Sequence, residues 1–342
     1  MRGLKKLAVA AAFFAAGLTG SMTATMSGAM AAPKVTVSIG GASCLCYMPT
    51  VLAKQLGEYE KAGVDVDLVD FKGGSQSLTA VLGGSADVVS GYYDHTVELA
   101  AKHQELVSFV VYDRYPGLVL VVAPGKSDIK SIKDLAGKKV GVSAPGSSTD
   151  FFLKYQLKKA GLDPKSAAVI GVGVGATAVA AMEQGQIDAA VMLDPAVTVL
   201  QSKHPDLVIL SDTRSQKDTE AAFGGAYPGG ALYTRPDWLK SHAGEAQALT
   251  NAMVATLKWI HSHTAEEIMA KMPDNLVGPD KAGYLAALKN TIPMYSEDGL
   301  MDPKGASAVL DVFSAGSPEV ANAGIDVTKT YTNDFVNKAK IN

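Results

Sequence analysis

From residue 34 onward, short apolar runs alternate with longer stretches of helical period. KVTVSIG (34–40), VDLVDF (66–71), DVVSG (87–91), KKVGVSA (138–144), AVIGV (168–172) and DAAVML (188–193) are of strand length. Continuous apolar runs this short predict strands buried on both faces, as in a parallel sheet. Between them, PTVLAKQLGEYEKAG (49–63) and FFLKYQLKKAG (151–161) predict helices closed by glycine, the residue suited to a left-handed C-cap. Two further runs, VSFVVY (107–112) and GLVLVVA (117–123), lead out of the first group of elements. SDTRSQKDTEAAFGGAYPGGA (211–231) holds Gly, Pro and polar residues without a period and reads as a loop and return crossing. A helix is then expected from about Pro236 to His263, with its proline suitably early. Helices near 265–272, 280–292 and 303–315 follow and are expected to pack back on the first lobe.

The pattern repeats. KAGVD (61–65) with GGSQSLTAVLGGSADVV (73–89) resembles KAGLD (159–163) with GVGATAVAAMEQGQIDAAV (173–191). Gly74, Gly84 and Asp87 match Gly175, Gly185 and Asp188 at the same internal spacing. A strand-helix-strand-helix-strand unit thus occurs twice, at about 35–90 and 139–193. Parallel units of this kind place ligands at the carboxyl ends of their strands. Two such lobes facing each other form a cleft.

The N-terminus predicts an export signal. Arg2, Lys5 and Lys6 precede the apolar run Leu7–Leu18, and Ala29-Met30-Ala31 offers a cleavage site, so residues 1–31 are expected to be removed. No cysteine directly follows the apolar run, which argues against a lipid anchor. The whole chain carries a formal charge of −3 and the mature chain about −6. A mildly acidic protein lacks the basic stripe that nucleic acid demands. No P-loop, G-x-S-x-G or HExxH is present.

SADVVSGYYDHT (85–96), IKSIKDLAGKKVGVSAPGSSTDFFLKYQLKKAG (129–161) and MEQGQIDAAVMLDPA (182–196) carry a family resemblance. The chain resembles periplasmic solute-binding proteins of ABC importers, in the nitrate/sulfonate/taurine and thiamine-pyrimidine-precursor branch. The resemblance implies an α/β, two-lobed type II periplasmic-binding fold with a ligand cleft between lobes. Lobe one would comprise 32–123 and, after the return, 224–342; lobe two would comprise 124–223. Hinges would lie near Ala123–Lys126 and Phe223–Gly230. It also implies a periplasmic, monomeric protein without catalysis or cofactor, handing a small organic anion or heteroaromatic solute to a membrane permease with cytoplasmic ATPase subunits. Sulfonates, taurine, aromatic carboxylates and pyrimidines all fit, and nitrate fits least well beside so many tyrosines.

Candidate ligand residues sit after strands and at helix starts. Ser147, Ser148 and Thr149 follow Gly146 at a helix N-terminus, where free N–H groups favour an anion; each is equally an ordinary N-cap residue. Gly74 and Ser75 open a helix in lobe one, as Thr177 does beside Gly175 in lobe two. Tyr92, Tyr93 and Asp94 follow a buried strand, and adjacent tyrosines point apart, so one is expected in the cleft and one in the lobe. Tyr47, Tyr112, Tyr115 and Tyr227 could also reach it. Arg114 could bind an anion bidentately or pair locally. Asp194 could accept from a ligand amine or cap the next helix.

Ser43, Cys44 and Cys46 lie between a strand and a helix, and the chain holds no other cysteine. If that segment is extended, Cα atoms two residues apart approach the upper limit for a disulfide. A zinc site needs about four ligands, and the nearby sequence does not supply them. The expected role is a small, soft wall of the cleft. Eukaryotic pyrimidine synthases of the same fold look similar and carry four cysteines in this loop, so the alternative is an exported enzyme using Cys44 or His95.

Overall fold

The computed structural model describes residues 32–340. The proposed signal, residues 1–31, lies outside the described residues. Among the described residues, no helix is long and apolar enough to cross a membrane.

Two five-stranded sheets form the centres of two lobes. The strands are β1 (Lys34–Ile39), β2 (Asp65–Asp70), β3 (Val88–Tyr92), β4 (Val107–Val111), β5 (Val119–Val122), β6 (Lys139–Val142), β7 (Ala168–Gly171), β8 (Ala189–Met192), β9 (Ile209–Asp212) and β10 (Gly230–Thr234). The first sheet runs β2-β1-β3-β10-β4 and the second β7-β6-β8-β5-β9. In each, three parallel strands are joined by helical crossovers, and a strand from outside that repeated unit, β10 in the first sheet and β5 in the second, enters antiparallel. The runs of β3, β5 and β8 are buried throughout, as their composition predicts. The edge strands β2 and β7 are not: Val69 and Ile170 are exposed, because each edge strand has a neighbour on one side only.

The internal repeat is repeated in the hydrogen bonding. Gly84 and Gly185 both adopt positive φ after their helices, at +74° and +66°. Asp87 accepts from the Thr36 N–H at 2.8 Å, and Asp188 accepts from the Lys139 N–H at 2.9 Å. Each aspartate ties the start of the third strand to the start of the first.

Four expectations change, the last of them in the C-terminal helices. β5 belongs to the second sheet, hydrogen-bonded between β8 and β9, so the chain crosses between lobes at 112–118 rather than at 123–126. A buried VLVV run fits either sheet equally; Pro116-Gly117, with Gly117 at φ +64°, marks the crossing. The supposed loop 211–231 contains β9's end and a helix, Gln216–Phe223, capped by the Ser215 side chain on the Asp218 N–H. The long helix from Pro236 is two helices, Pro236–Ser241 and Ala243–Ser262, which part at His242.

The C-terminal helices do not all return to lobe one. Ala243–Ser262 packs on the first lobe's helices, but Lys281–Thr291 packs on the second lobe's helix Ala196–Lys203. Pro303–Gly316 touches both the first lobe's Asp94–Ala100 and the second lobe's Ser148–Lys159. Phe313 stacks on Phe151 there, with ring centroids 3.6 Å apart.

Candidate functional site

The carboxyl ends of β1, β3, β6 and β8 face one another across the lobes. Two loops in topologically equivalent positions, 40–47 after β1 and 143–147 after β6, form much of the contact. Around them the lobes touch directly. The Leu45 N–H donates to the Asp194 carbonyl at 2.9 Å, and Ser75 Oγ donates to the Pro145 carbonyl at 3.0 Å. A groove of about 760 Å³ opens beside this contact, lined by Ser43, Asp70 and Lys72 on one side and by Ser143, Pro145 and Thr177 on the other.

In lobe two, the helix Ser148–Lys159 begins at the cleft, with Ser147 as its extended N-cap residue. Ser143, Ser147 and Thr149 hydroxyls form a mutually bonded cluster at 2.7–2.9 Å. Thr149 Oγ1 also accepts from the Ser143 N–H at 2.9 Å. Ser148 Oγ instead crosses to lobe one and donates to Asp94 Oδ1 at 2.7 Å. Tyr227, on the return crossing, donates to Asp94 Oδ2 at 3.1 Å. One buried carboxylate thereby joins both lobes and the crossing. Burial raises the Asp94 carboxyl above its ordinary range, while His95 and the two hydroxyl donors pull it down.

In lobe one, the helix Gly74–Leu82 also starts at the cleft. A Cβ on Gly74 would stand 3.1 Å from His95 Cε1 and 3.9 Å from both His95 Nε2 and Ser147 Cβ. His95 Nδ1 bonds the Tyr233 hydroxyl at 2.9 Å, while Nε2 is buried without a partner among the described residues. Two helix N-termini, one from each lobe, therefore meet beside an unused imidazole nitrogen. Tyr47 stands in a buried edge-to-face pair with Tyr92, centroids 6.0 Å apart. Burial, with Asp94 and Asp113 adding to it, raises the Tyr47 hydroxyl's pKa, so it remains protonated.

Several predicted residues lie elsewhere. Tyr93 points into lobe one and bonds Thr330 Oγ1, whereas Tyr92 turns toward the crossing and donates to the Pro116 carbonyl. Arg114 is exposed, donates to the Pro293 carbonyl and rests over the Tyr115 ring; it lines a cavity of about 400 Å³ with Gln216 and Tyr227, not the groove beside Ser43 and Ser143. Its neighbour Asp113 is the buried one: Oδ2 accepts from the Gly230 N–H at 3.1 Å and Oδ1 has no partner among the described residues. Strand-end alternation sends the carboxylate inward and the guanidinium out. The Asp194 side chain accepts from the Thr198 N–H and hydroxyl and from Arg214, so it caps the helix Ala196–Lys203. Thr177 lies at the mouth, its hydroxyl spent on the Val174 carbonyl.

The cysteines differ most from expectation. Cys44 and Cys46 are joined in a disulfide, with Cα atoms 5.1 Å apart. The segment is not extended: Leu45–Tyr47 is one turn of 3-10 helix, which brings the two Cα atoms within bonding range. Both are buried. In sequence, His95 enters only through the alternative of an exported enzyme, and Ser143 carries no signal at all. The D-H-T and V-S-A contexts of these residues hold no periodic signal.

The NMT1/THI5-like family profile matches residues 46–267, well over half of the chain. The chain belongs to the NMT1/THI5-like family. Among solved structures, this NMT1/THI5-like chain is 40% identical to a protein from Bordetella bronchiseptica RB50, with TM-score 0.87 over 89% of this chain and 96% of that one. The alkanesulfonate-binding protein SsuA from Xanthomonas axonopodis pv. citri, solved with MOPS bound, shares the fold at 18% identity and TM-score 0.67, covering 87% and 98%. A Brucella abortus (strain 2308) protein provisionally named a binding protein is 32% identical over 51% of this chain; the match spans about half that relative's length, 53%. A Schizosaccharomyces pombe protein, 27% identical over 48% of this chain and 46% of its own, is named 4-amino-5-hydroxymethyl-2-methylpyrimidine phosphate synthase.

Proposed function

We propose that this protein is the periplasmic binding component of an ABC importer, capturing a small organic anion or flat heteroaromatic and presenting it to a membrane permease. The observation that carries this reading is the meeting of two helix N-termini, at Gly74 and Ser148, beside the buried Nε2 of His95. N–H groups at helix starts favour negative charge. Neutral His95 could accept from a ligand N–H or, as the other tautomer, donate to a ligand oxygen. Buried tyrosines supply flat apolar surface. Ser43, the Cys44–Cys46 disulfide, Tyr47, Gly74, Ser75, Tyr92, Asp94, Ser147, Ser148, Thr149, Thr177, Asp194 and Tyr227 stand around the interface as wall, latch or cap, while Tyr93 and Arg114 leave the set.

Several relatives are named as binding proteins, and two facing lobes of this kind suit closure on a solute. A ligand that touches both lobes shifts the open–closed equilibrium by its differential affinity. The reading predicts stoichiometric binding with unchanged ligand. Native mass spectra of residues 32–342, taken before and after denaturation, test it: a small molecule released on unfolding supports capture and gives its mass. Turnover of that molecule by the folded protein would overturn the binding reading in favour of an exported enzyme using His95.

A further inference from the structure

The Cys44–Cys46 disulfide is not needed by any step above, yet it sits where the lobes meet. The hydrogen bonds of its segment show why that matters. Cys44 N–H donates to the Gly41 carbonyl at 3.0 Å, Cys46 N–H to Cys44 Sγ at 3.1 Å, and Tyr47 N–H to the Cys44 carbonyl at 3.1 Å. These three donors are satisfied inside the turn. Only the Leu45 N–H, within the ring closed by the disulfide, is spent across the lobes, on the Asp194 carbonyl at 2.9 Å. The Leu45 carbonyl is held from behind by the Tyr295 hydroxyl at 2.8 Å. The cavity beside this contact, lined by Cys44, Cys46 and Asp194 and also by Pro116, Arg214 and Met294, has a volume of about 10 Å³.

We infer that the disulfide ring is a positioning element for lobe closure, holding the Leu45 peptide so that its N–H meets the Asp194 carbonyl when the lobes come together. Without the ring, three residues would have to be ordered at the moment of closure; with it, they are ordered beforehand, and closure forfeits less freedom. The small ring constrains little of the unfolded chain, so its effect falls on closure more than on folding. Both sulfurs are buried in the closed form, so the bond is made before closure, which suits a chain oxidised after export. The inference rests on the proposal that the lobes close around a solute.

The test is amide exchange at Leu45, read by NMR in the oxidised protein and in Cys44→Ser/Cys46→Ser. Protection at Leu45 should fall by about tenfold or more in the variant, while core amides of β1 and β6 keep theirs. Should the double variant fail to fold, wild-type protein reduced in its folded state with a phosphine gives the same readout. Unchanged Leu45 protection in either folded, ring-free form would overturn the inference, as would two free thiols on alkylation of the native protein. Tyr295→Phe serves as a control that keeps the ring: Leu45 should remain protected within a few-fold. A protein that retains its solute but shows no change at Leu45 loses the ring's role and keeps the binding reading; a protein that neither carries nor binds a solute loses the binding reading and, with it, the ring's role in closure.

Discussion

The loops after β1 and after β6 occupy equivalent places in two copies of one topology, and they solve the same problem with different chemistry. The lobe-two loop is Ser-Ala-Pro-Gly-Ser at 143–147, and its hydroxyls cluster at the start of the helix Ser148–Lys159. It offers small donors and no titratable group. The lobe-one loop turns through a disulfide and leads to Tyr47, beside Tyr92 and the Asp94-His95 pair on β3's exit. It offers bulk, flat surface and buried ionisable groups. The repeat thus preserves the scaffold, down to the matching aspartates 87 and 188, and lets the two cleft walls diverge. Under the proposed function, one wall would suit negative charge and the other would discriminate shape and polarity. That division is what a clamp needs, because a solute satisfied by one lobe alone would give no reason to close.

Forcing the walls apart should give the largest effect. Gly73 has an extended backbone that any residue can adopt, φ −172°, but a Cβ there would stand 2.8 Å from Ala144 Cβ across the cleft. Gly73→Val should therefore abolish solute retention, read by native mass spectrometry, while leaving the unfolding midpoint close to that of solute-stripped wild type. A large drop in that midpoint would place Gly73 in the folding core instead of the closing surface.

Next comes the latch. Asp94→Ala strands the Ser148 and Tyr227 hydroxyls in a buried site and should cost about 2–4 kcal/mol in a urea titration. Ser148→Ala removes one donor and leaves Tyr227 on the carboxylate, so about 1 kcal/mol is expected. Equal effects would mean the latch is not shared in the way the two hydrogen bonds indicate.

The smallest effect is a change in pH dependence. Burial raises the Asp113 carboxyl well above its ordinary value, against a partial offset from the Gly230 N–H. The native state then holds this proton more tightly than the unfolded chain. Its stabilising contribution is complete below the unfolded carboxylate value and is lost as pH rises through the higher native one. Asp113→Asn cannot titrate, so its stability should decline less than wild type over that window. Parallel pH profiles by thermal unfolding would contradict the assignment.

Much of this was legible in sequence. Apolar runs located the strands β1 to β8, and the glycine–aspartate spacing exposed the duplication, because both are local and repeated; β9 and β10 fell in or beside the stretch 211–231 read as a loop. The failures have common physical causes. β5 is apolar all round, so its pattern could not say which sheet would take it. Tyr92 against Tyr93, and Asp113 against Arg114, are one-residue alternatives at strand ends, where the facing side depends on how the chain leaves the sheet. The cysteine pair shows no disulfide signal in sequence because residues two apart meet only where the segment forms a 3-10 turn, which nothing in the residue pattern indicates. His95 carries no local signal; its site exists only when Gly74, Tyr233 and Ser147 are brought together from three separate elements.

The central claim, that a solute holds the lobes closed, is tested most directly by small-angle scattering on one preparation of residues 32–342 in three states. These are as purified, stripped of small molecules by unfolding and refolding, and stripped with the released fraction returned. The account predicts a larger radius of gyration after stripping and recovery of the smaller value on return. An identical radius in all three, with a small molecule demonstrably lost and regained, would contradict it.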